Sequence, residues 1–437
     1  MDTYFNLPDF RLSLRANESM KQIQASPNKS LPFIFRKYAA LEGFYRLIKN
    51  ERVKEDHIMK SISSNTIDSI GDLDEIAIIH DTTFINPKLN KKSKLLGSHG
   101  LPTHLSLAVS TNALANVYGA VEIQFLKRDS NNKSLVDNSD YERWYNGVEL
   151  VENKLKGKSC IHLMDREADS YAHFCDMNLK NHRYVIRVCH DRFINSDSSD
   201  KLYDRIKRKR SVHKIKVRVS KREESTYKKQ QHIYAKREAR EVELNISYDQ
   251  IIFERGERVD KSYPEECEVN IVRVWEPNPP KGTKPIEWIL ATSEDIDNNE
   301  KLERVIKLYR RRWLIEEFFK GLKTGCKIEE KQFEDVDSWK KIIAFYLPIA
   351  TKILNLRELD KASIEEIKNC LTKNQISILK KLSSKDRIEL QTANDYMHAI
   401  ARLGGHIKYN GPPGWIVLFR GMQELSTLEI GWSLRCD

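Results

Sequence analysis

Residues 1–65 place apolar positions three and four apart with charged residues between them. LPFIFRKYAALEGFYRLIKN is the clearest stretch, and this part of the chain reads as amphipathic helices. Near residue 72 the period changes. DEIAIIHDTTFI is a short apolar run ending in His80-Asp81, and LSLAVSTN and VYGAVEIQFLKRD have the same strand character. YERWYNGVELVENKL returns to the helical period. SCIHLM is another buried strand, ended by Asp165 and followed by a helix, and HRYVIRVCHD is a strand again. Strands that alternate with helices indicate an α/β sheet with helices on both faces.

From about 190 to 290 the pattern becomes apolar-polar alternation. VHKIKVRVS, REVELNISYD, CEVNIVRVWEP and IEWILATS read as antiparallel strands with no helical signal between them. A block of that length is an inserted subdomain and not a loop, and NPPKG marks its exit turn. The predicted organisation is a helical segment over 1–66, an α/β domain over 67–345 interrupted by a β block at about 190–292, and a helical region over 346–437. ARLGGH and YNGPPGW break the last helices.

After the β block, NNEKLERVIKLYRRRWLIEEFFKGLKTG reads as one long helix. On a wheel at about 100° per residue, Tyr309, Arg312, Glu316, Lys320 and Lys323 fall in one narrow stripe. Leu308, Ile315, Phe318, Phe319 and Leu322 fill the neighbouring arc. One reading is a solvated face with ion pairs one turn apart. The other is a carboxylate held for a metal, with cations beside it held for an anion such as phosphate.

Charge sharpens this picture. The 437-residue chain carries a net +11. Residues 201–240 alone hold 16 Lys/Arg against 4 Asp/Glu, so the rest is close to neutral. One concentrated basic segment points to a polyanion partner, with nucleic acid foremost; a charged loop that aids solubility is the alternative. In the N-terminal helices Arg36, Lys37 and Arg46 stand among aromatic residues, which suits a DNA-binding head and equally an ordinary amphipathic helix. The seven cysteines have no metal-ligand spacing, which fits a reducing cytosol. MDTYFNLPDFRLSLR lacks a basic start followed by an apolar run, so no targeting segment is expected. The longest apolar run, IIAFYLPIATKIL, is broken by Pro348 and Lys352 and reads as a buried helix with no role in a membrane.

Asp81 and Asp165 each end an apolar strand, where functional groups of open α/β sheets collect, although such an aspartate is often a turn or cap residue. With Glu316 they make three carboxylates from distant parts of the chain. If these converge, their mutual repulsion requires a divalent cation. Oxygen-only ligands favour Mg²⁺ or Mn²⁺, and two ions could activate a water or 3′-hydroxyl at a phosphodiester.

The spacing Tyr309, Arg312, Glu316, Lys323 resembles the Y-R-E-K signature of the insertion-sequence-four family of bacterial DDE transposases, which includes the transposon Tn-five enzyme. DTT at Asp81 and DREAD at Asp165 resemble that family's first and second acidic motifs. The β-rich insertion, the N-terminal SPNKSLPFIFRKYAALEGFYRLIKN and the C-terminal YMHAIARLGG are similar as well. The resemblance implies an RNase H-like core in which Asp81, Asp165 and Glu316 bind two Mg²⁺ ions. It implies cut-and-paste cleavage at transposon ends, with a hairpin intermediate in some relatives, and joining to target DNA. It also implies a DNA-binding head, a C-terminal dimerisation region, a homodimer that pairs the two ends, and a place in the bacterial cytoplasm with the nucleoid. Trp288 takes the place of the family's base-stacking tryptophan and Arg187 that of a phosphate-contacting arginine. Tyr309, Arg312 and Lys323 would hold the distorted strand by phosphate contacts, and Lys320 of the same stripe is a further candidate for DNA binding. A nuclease that cuts without joining, and an inactive DNA-binding copy, are the alternatives.

Overall fold

The computed structural model describes residues 4–87, 100–112, 116–126, 141–194, 197–219, 225–226, 233–234, 238–358, 371–407 and 413–433. The chain is mixed α/β and divides into two compact units, Met1–Ser159 with Trp313–Asp437, and Cys160–Arg312.

In the first unit, helices α1 (Phe10–Ala25), α2 (Leu31–Ile34), α3 (Tyr38–Lys49) and α4 (Glu55–Ile70) precede the strands β1 (Glu75–Ile85), β2 (Leu101–Val109) and β3 (Val117–Phe125). The strands form an antiparallel meander in the order β3-β2-β1. Ile76 to Ile79 of β1 are all fully buried. That is the near-continuous apolar pattern of a strand covered on both faces. Helix α5 (Glu142–Lys154) packs on β2 and β3, and α4 lies on β3. The long helix α10 (Val336–Glu358) also packs on β3 and reaches α3 and α4. Phe345 of α10 stacks on Phe5, 4.2 Å between centroids, and meets Phe44 edge-on at 5.7 Å. The N-terminal helices therefore share the core of this unit. Helices α11 (Lys373–Lys385), α12 (Ala393–Leu403) and α13 (Trp415–Ser433) build a separate apolar cluster around Leu379, Ile400 and Leu418. A Cβ on Gly421 would come within 1.8 Å of the Ile400 carbonyl oxygen, so only glycine permits this crossing of α12 and α13.

The second unit opens with β4 (Ser159–Met164), α6 (Tyr171–Leu179) and β5 (Arg183–Arg187), with β4 and β5 parallel. A helix joining two parallel strands is the βαβ unit that the periodicity implied. The neighbours that follow are β13 (Glu287–Thr292), β12 (Glu266–Trp275) and β11 (Arg240–Glu254), each antiparallel to the next, with β13 beside β5. On its other side β11 pairs with β6 (Phe193–Ile194), itself paired with β7 (Asp197–Lys201), and with β8 (His213–Val219). The short strands β9 (Ser225–Thr226) and β10 (Ile233–Tyr234) pair with each other.

Two expectations need correction. The β block contains a helix, α7 (Leu202–Arg208), in a stretch read as strands and connections alone. Its apolar content is Leu202 and Ile206, both fully buried and one turn apart, amid charged residues that mask the period. The long helix is not continuous either. α8 (Asn299–Arg311) stops at Arg312, whose N–H bonds the Tyr309 carbonyl three residues back, 3.0 Å, and α9 (Trp313–Lys320) begins anew. Residues Gly321–Gly325 then form a π turn, with the Cys326 N–H on the Gly321 carbonyl at 2.8 Å. An i→i−3 bond overwinds and an i→i−5 bond underwinds the helix, so the stripe from Tyr309 to Lys323 does not lie on one uninterrupted helical face.

Candidate active site and nucleic-acid contacts

Asp81 sits in the middle of β1, opposite Leu105, and is partly exposed. Its Oδ1 accepts the Thr82 N–H at 2.8 Å. Behind it, on the other face of the strand, lies a buried polar layer. His80 Nδ1 and Ser106 Oγ share a hydrogen bond of 3.0 Å, and His104 Nδ1 and Thr82 Oγ1 one of 2.9 Å. The two histidines are fully buried, stack at 5.9 Å, and are closed off by Trp144 edge-on to His104. Gly147 of α5 lies so close that a Cβ there would be 3.0 Å from His104 Nε2. Burying polar groups without partners is costly, so this layer fixes the backbone at Asp81.

Helix α9 packs against β1 in the same unit and carries Glu316, partly exposed beside buried Ile315 and Phe318. The next residue, Glu317, is buried. It accepts Trp313 Nε1 at 3.1 Å and Lys320 Nζ at 2.9 Å, while Lys320 also lies 5.1 Å from the Trp313 ring. Lys320, expected in the stripe with Glu316, is thus committed to Glu317 and Trp313. Lys323 lies in the π turn. Burial pushes its ammonium below the usual lysine range, and Glu329 opposes that shift. Glu329 in turn accepts the Asn86 N–H, 2.9 Å, just beyond β1.

In the second unit, Asp165 follows β4 and is partly exposed. It caps a short 3₁₀ turn, accepting the Glu167 N–H at 2.8 Å. The cap reading and the ligand reading of this residue are compatible, because a carboxylate has lone pairs to spare. Around it the fold gathers residues from four elements. Tyr309 of α8 is 6 % exposed. Burial raises its phenol above the usual range, the Arg312 and Arg187 cations oppose this, and the Asp165 carboxylate adds to it. Trp288 of β13, half-buried, meets the Tyr309 ring edge-on at 5.9 Å. Asp165, Arg187, Trp288, Tyr309 and Arg312 are therefore electrostatic or ring neighbours within one unit.

Asp169, the last residue of DREAD, was not singled out by sequence. Its side chain is fully buried and pairs with Arg192 at 2.6 Å. Its Oδ2 accepts the N–H groups of Cys189 and His190 at 2.6 and 2.8 Å. Asp169, Cys189 and His190 are the one set among the described residues whose potential metal-ligand atoms all lie within 4.8 Å of one another. The carboxylate is already occupied by a guanidinium and two amides, and burial, with Asp169 beside it, pushes the Cys189 thiol up to about 11. A protonated thiol is a poor ligand. The group anchors the exit of β5, where Arg187 sits. Only the second Asp of DREAD hinted at it.

In the N-terminal helices Arg36 and Lys37 are exposed, and Arg46 pairs with Glu42 at 2.5 Å. The basic segment is more neutral than its composition implies. Arg205 and Lys209 both bind Asp249, at 2.9 and 2.8 Å, Arg208 binds Asp200 at 2.7 Å, and Lys214 binds Glu243 at 2.8 Å. On β8, Lys216 and Arg218 stand opposite Glu243 and Glu241 of β11. Arg240 pairs with Glu276 at 2.5 Å, and the charges at 221–224, 228–229 and 236–237 lie outside the described residues. Among the described residues no helix is long and apolar enough to cross a membrane.

The chain is similar to a solved cryo-EM structure of a piggyBac transposase synaptic complex with hairpin DNA. The identity is 10 %, the TM-score 0.39, and the coverage 98 % of this chain and 73 % of that one, a likeness too distant to establish fold or function. Residues 3–53 match the family model of transposase DNA-binding segments. Residues 146–345, which include Asp165 and Glu316, match that of the transposase DDE domain. The chain thus carries one segment similar to transposase DNA-binding segments and one similar to transposase DDE domains.

Proposed function

We propose that this chain is a cut-and-paste transposase of the insertion-sequence-four type, with an RNase H-like core. In this reading it binds the ends of its element, hydrolyses phosphodiester bonds there and joins the 3′-hydroxyl ends to target DNA. The observation that carries the reading is the clustering of Asp165, Arg187, Trp288, Tyr309 and Arg312, drawn from four elements inside the matched DDE domain. A buried phenol that meets a half-exposed indole and feels one carboxylate and two guanidinium groups has little use in a core. It suits a nucleic-acid strand whose phosphates and bases are both gripped.

Asp81, Asp165 and Glu316 are the proposed metal ligands. All three carboxylates are partly exposed and offer oxygen alone, a donor set that fits Mg²⁺, with Mn²⁺ as a substitute. Asp81 lies ahead of the matched DDE segment and is assigned by its DTT motif and by the packing of α9, with Glu316, on β1. When bound, two such ions would supply Lewis-acid activation of the attacking hydroxyl and charge neutralisation at the leaving oxygen. The chain's own residues do the rest. Arg187 and Arg312 offer bidentate donors to phosphate oxygens. Lys323, held at reduced basicity by burial, adds a point charge. Trp288 supplies a face on which an extruded base of a hairpin intermediate stacks. A homodimer, paired through the C-terminal helices, would hold two ends together.

The test is to incubate the full chain with Mg²⁺, a duplex carrying the element's terminal sequence and a target plasmid. Cleavage at the boundary with joined product supports the proposal. Cleavage without joining favours the nuclease alternative, and binding without cleavage the inactive copy.

A further inference from the structure

Helix α2 and its flanks form a rigid surface that the catalytic reading does not use. Lys29, Ser30, Pro32, Phe33, Arg36, Lys37 and Tyr38 are all exposed, while Leu31, Ile34 and Phe35 between them are buried. Phe33 is 48 % and Tyr38 78 % exposed, an unusual cost for aromatic rings in a basic stretch. The Phe33 ring has a cation on each sequence side, Lys29 Nζ at 5.4 Å and the Arg36 guanidinium carbon at 5.7 Å from its centroid. Among the described residues, none of Lys29, Arg36 and Lys37 forms an ion pair.

The surface is held firmly from behind. Lys331 is 3 % exposed, and its ammonium donates to the carbonyl oxygens of Pro27 and Lys29 at 2.9 and 2.6 Å. The Phe35 ring stacks on Phe44 at 4.7 Å. Pro32 sets the first turn of α2. A buried lysine capping two carbonyls just before an exposed ring keeps that ring in place before any partner arrives, which lowers the entropic cost of contact.

We propose that this surface docks duplex DNA, with Lys29, Arg36 and Lys37 on phosphates and the Phe33 ring wedged against sugar and base edges in the groove between them. The occupant follows from charge, since the cations of Lys29 and Arg36 flank one apolar ring, Lys37 is exposed next in sequence, and no acid lies among the exposed residues of 29–38. The proposal rests on the reading of residues 3–53 as a DNA-binding segment and adds the face and the apolar contact.

The experiment is fluorescence anisotropy of a labelled duplex bearing the element's terminal sequence, titrated with the full chain at several KCl concentrations. Phe33→Ala should weaken binding about tenfold and leave the slope of log K against log[salt] unchanged. Lys29→Gln and Arg36→Gln should each flatten that slope by about 0.9. Phe33→Trp should retain binding, and the melting temperature of Phe33→Ala should match wild type because the ring is exposed. If wild type binds and Phe33→Ala binds equally well, this proposal fails alone. If Phe33→Ala instead changes the oligomeric state with DNA affinity intact, the ring serves a protein contact and the proposal is overturned. If wild type binds no duplex at all, the transposase reading itself fails.

Discussion

The Thr82 hydroxyl lies 2.9 Å from Nδ1 of the fully buried His104, across the β1–β2 pair. Thr82 also donates its backbone N–H to Asp81 Oδ1. One residue therefore ties a proposed metal-binding carboxylate to a histidine in the core, and the tie is indirect, through a strand that cannot shift without breaking the hydrogen bond to that histidine.

Thr82→Val keeps the shape of the side chain and removes this anchor. Groups that orient metal ligands are typically worth a factor of 10–100 in metal affinity. The half-saturating Mn²⁺ concentration for DNA cleavage should rise by roughly tenfold, and Thr82→Ser should restore it. An unchanged metal titration for Thr82→Val would mean that the layer behind β1 is structural only.

Trp288 and Tyr309 make a second testable pair. Loss of a stacking platform costs about 1–3 kcal/mol per base. Trp288→Ala should therefore slow any step that needs an extruded base while leaving the first nick at the element boundary intact. A 2-aminopurine placed next to the cleavage site reports this by fluorescence: the increase seen with wild type should be reduced in Trp288→Ala. Equal reduction of nicking and of base extrusion would contradict a stacking role.

Acid should loosen the second unit. His173 of α6 is fully buried, with Nε2 3.3 Å from Met164 Sδ. Burial, followed by the nearby His162 and His182, pushes it down to about 3 from 6.5. The folded value is the lower one, so between about 3 and 6.5 the unfolded chain binds more protons. The contribution is complete above 6.5 and declines as pH falls, at up to ~1.4 kcal/mol per unit. The melting temperature should fall between pH 7 and pH 5, and His173→Leu should blunt that fall. Parallel curves for the two proteins would assign the acid sensitivity to other groups.

Where the period was strong, the sequence could be read directly. β1, β2, β3, β11 and β12 all fall where the apolar patterns placed them, because burial on one or both faces imposes the pattern locally. Helix α7 was hidden because two buried apolar residues in seven make no visible period. The break at Arg312 and the π turn were hidden because they arise from backbone bonding and leave the composition helical. The charge of the 201–218 stretch looked free because its acidic partners Asp249 and Glu243 are distant in sequence. Asp169, His104 and Lys331 escaped for the same reason: each is defined by what it touches, at separations that no local window spans. The tyrosine, arginine, tryptophan and aspartate that meet in the second unit were individually visible only through the spacing of motifs.

The most direct test is metal-dependent cleavage by wild type and Glu316→Gln, a change that keeps size and removes charge. Both proteins should bind the element's end with equal affinity. With Mg²⁺, wild type should nick the duplex at the boundary, while Glu316→Gln should lose cleavage by at least about a hundredfold and gain nothing from Mn²⁺. Cleavage by Glu316→Gln at the wild-type rate would contradict the account, since the carboxylate on α9 would then have no part in the chemistry.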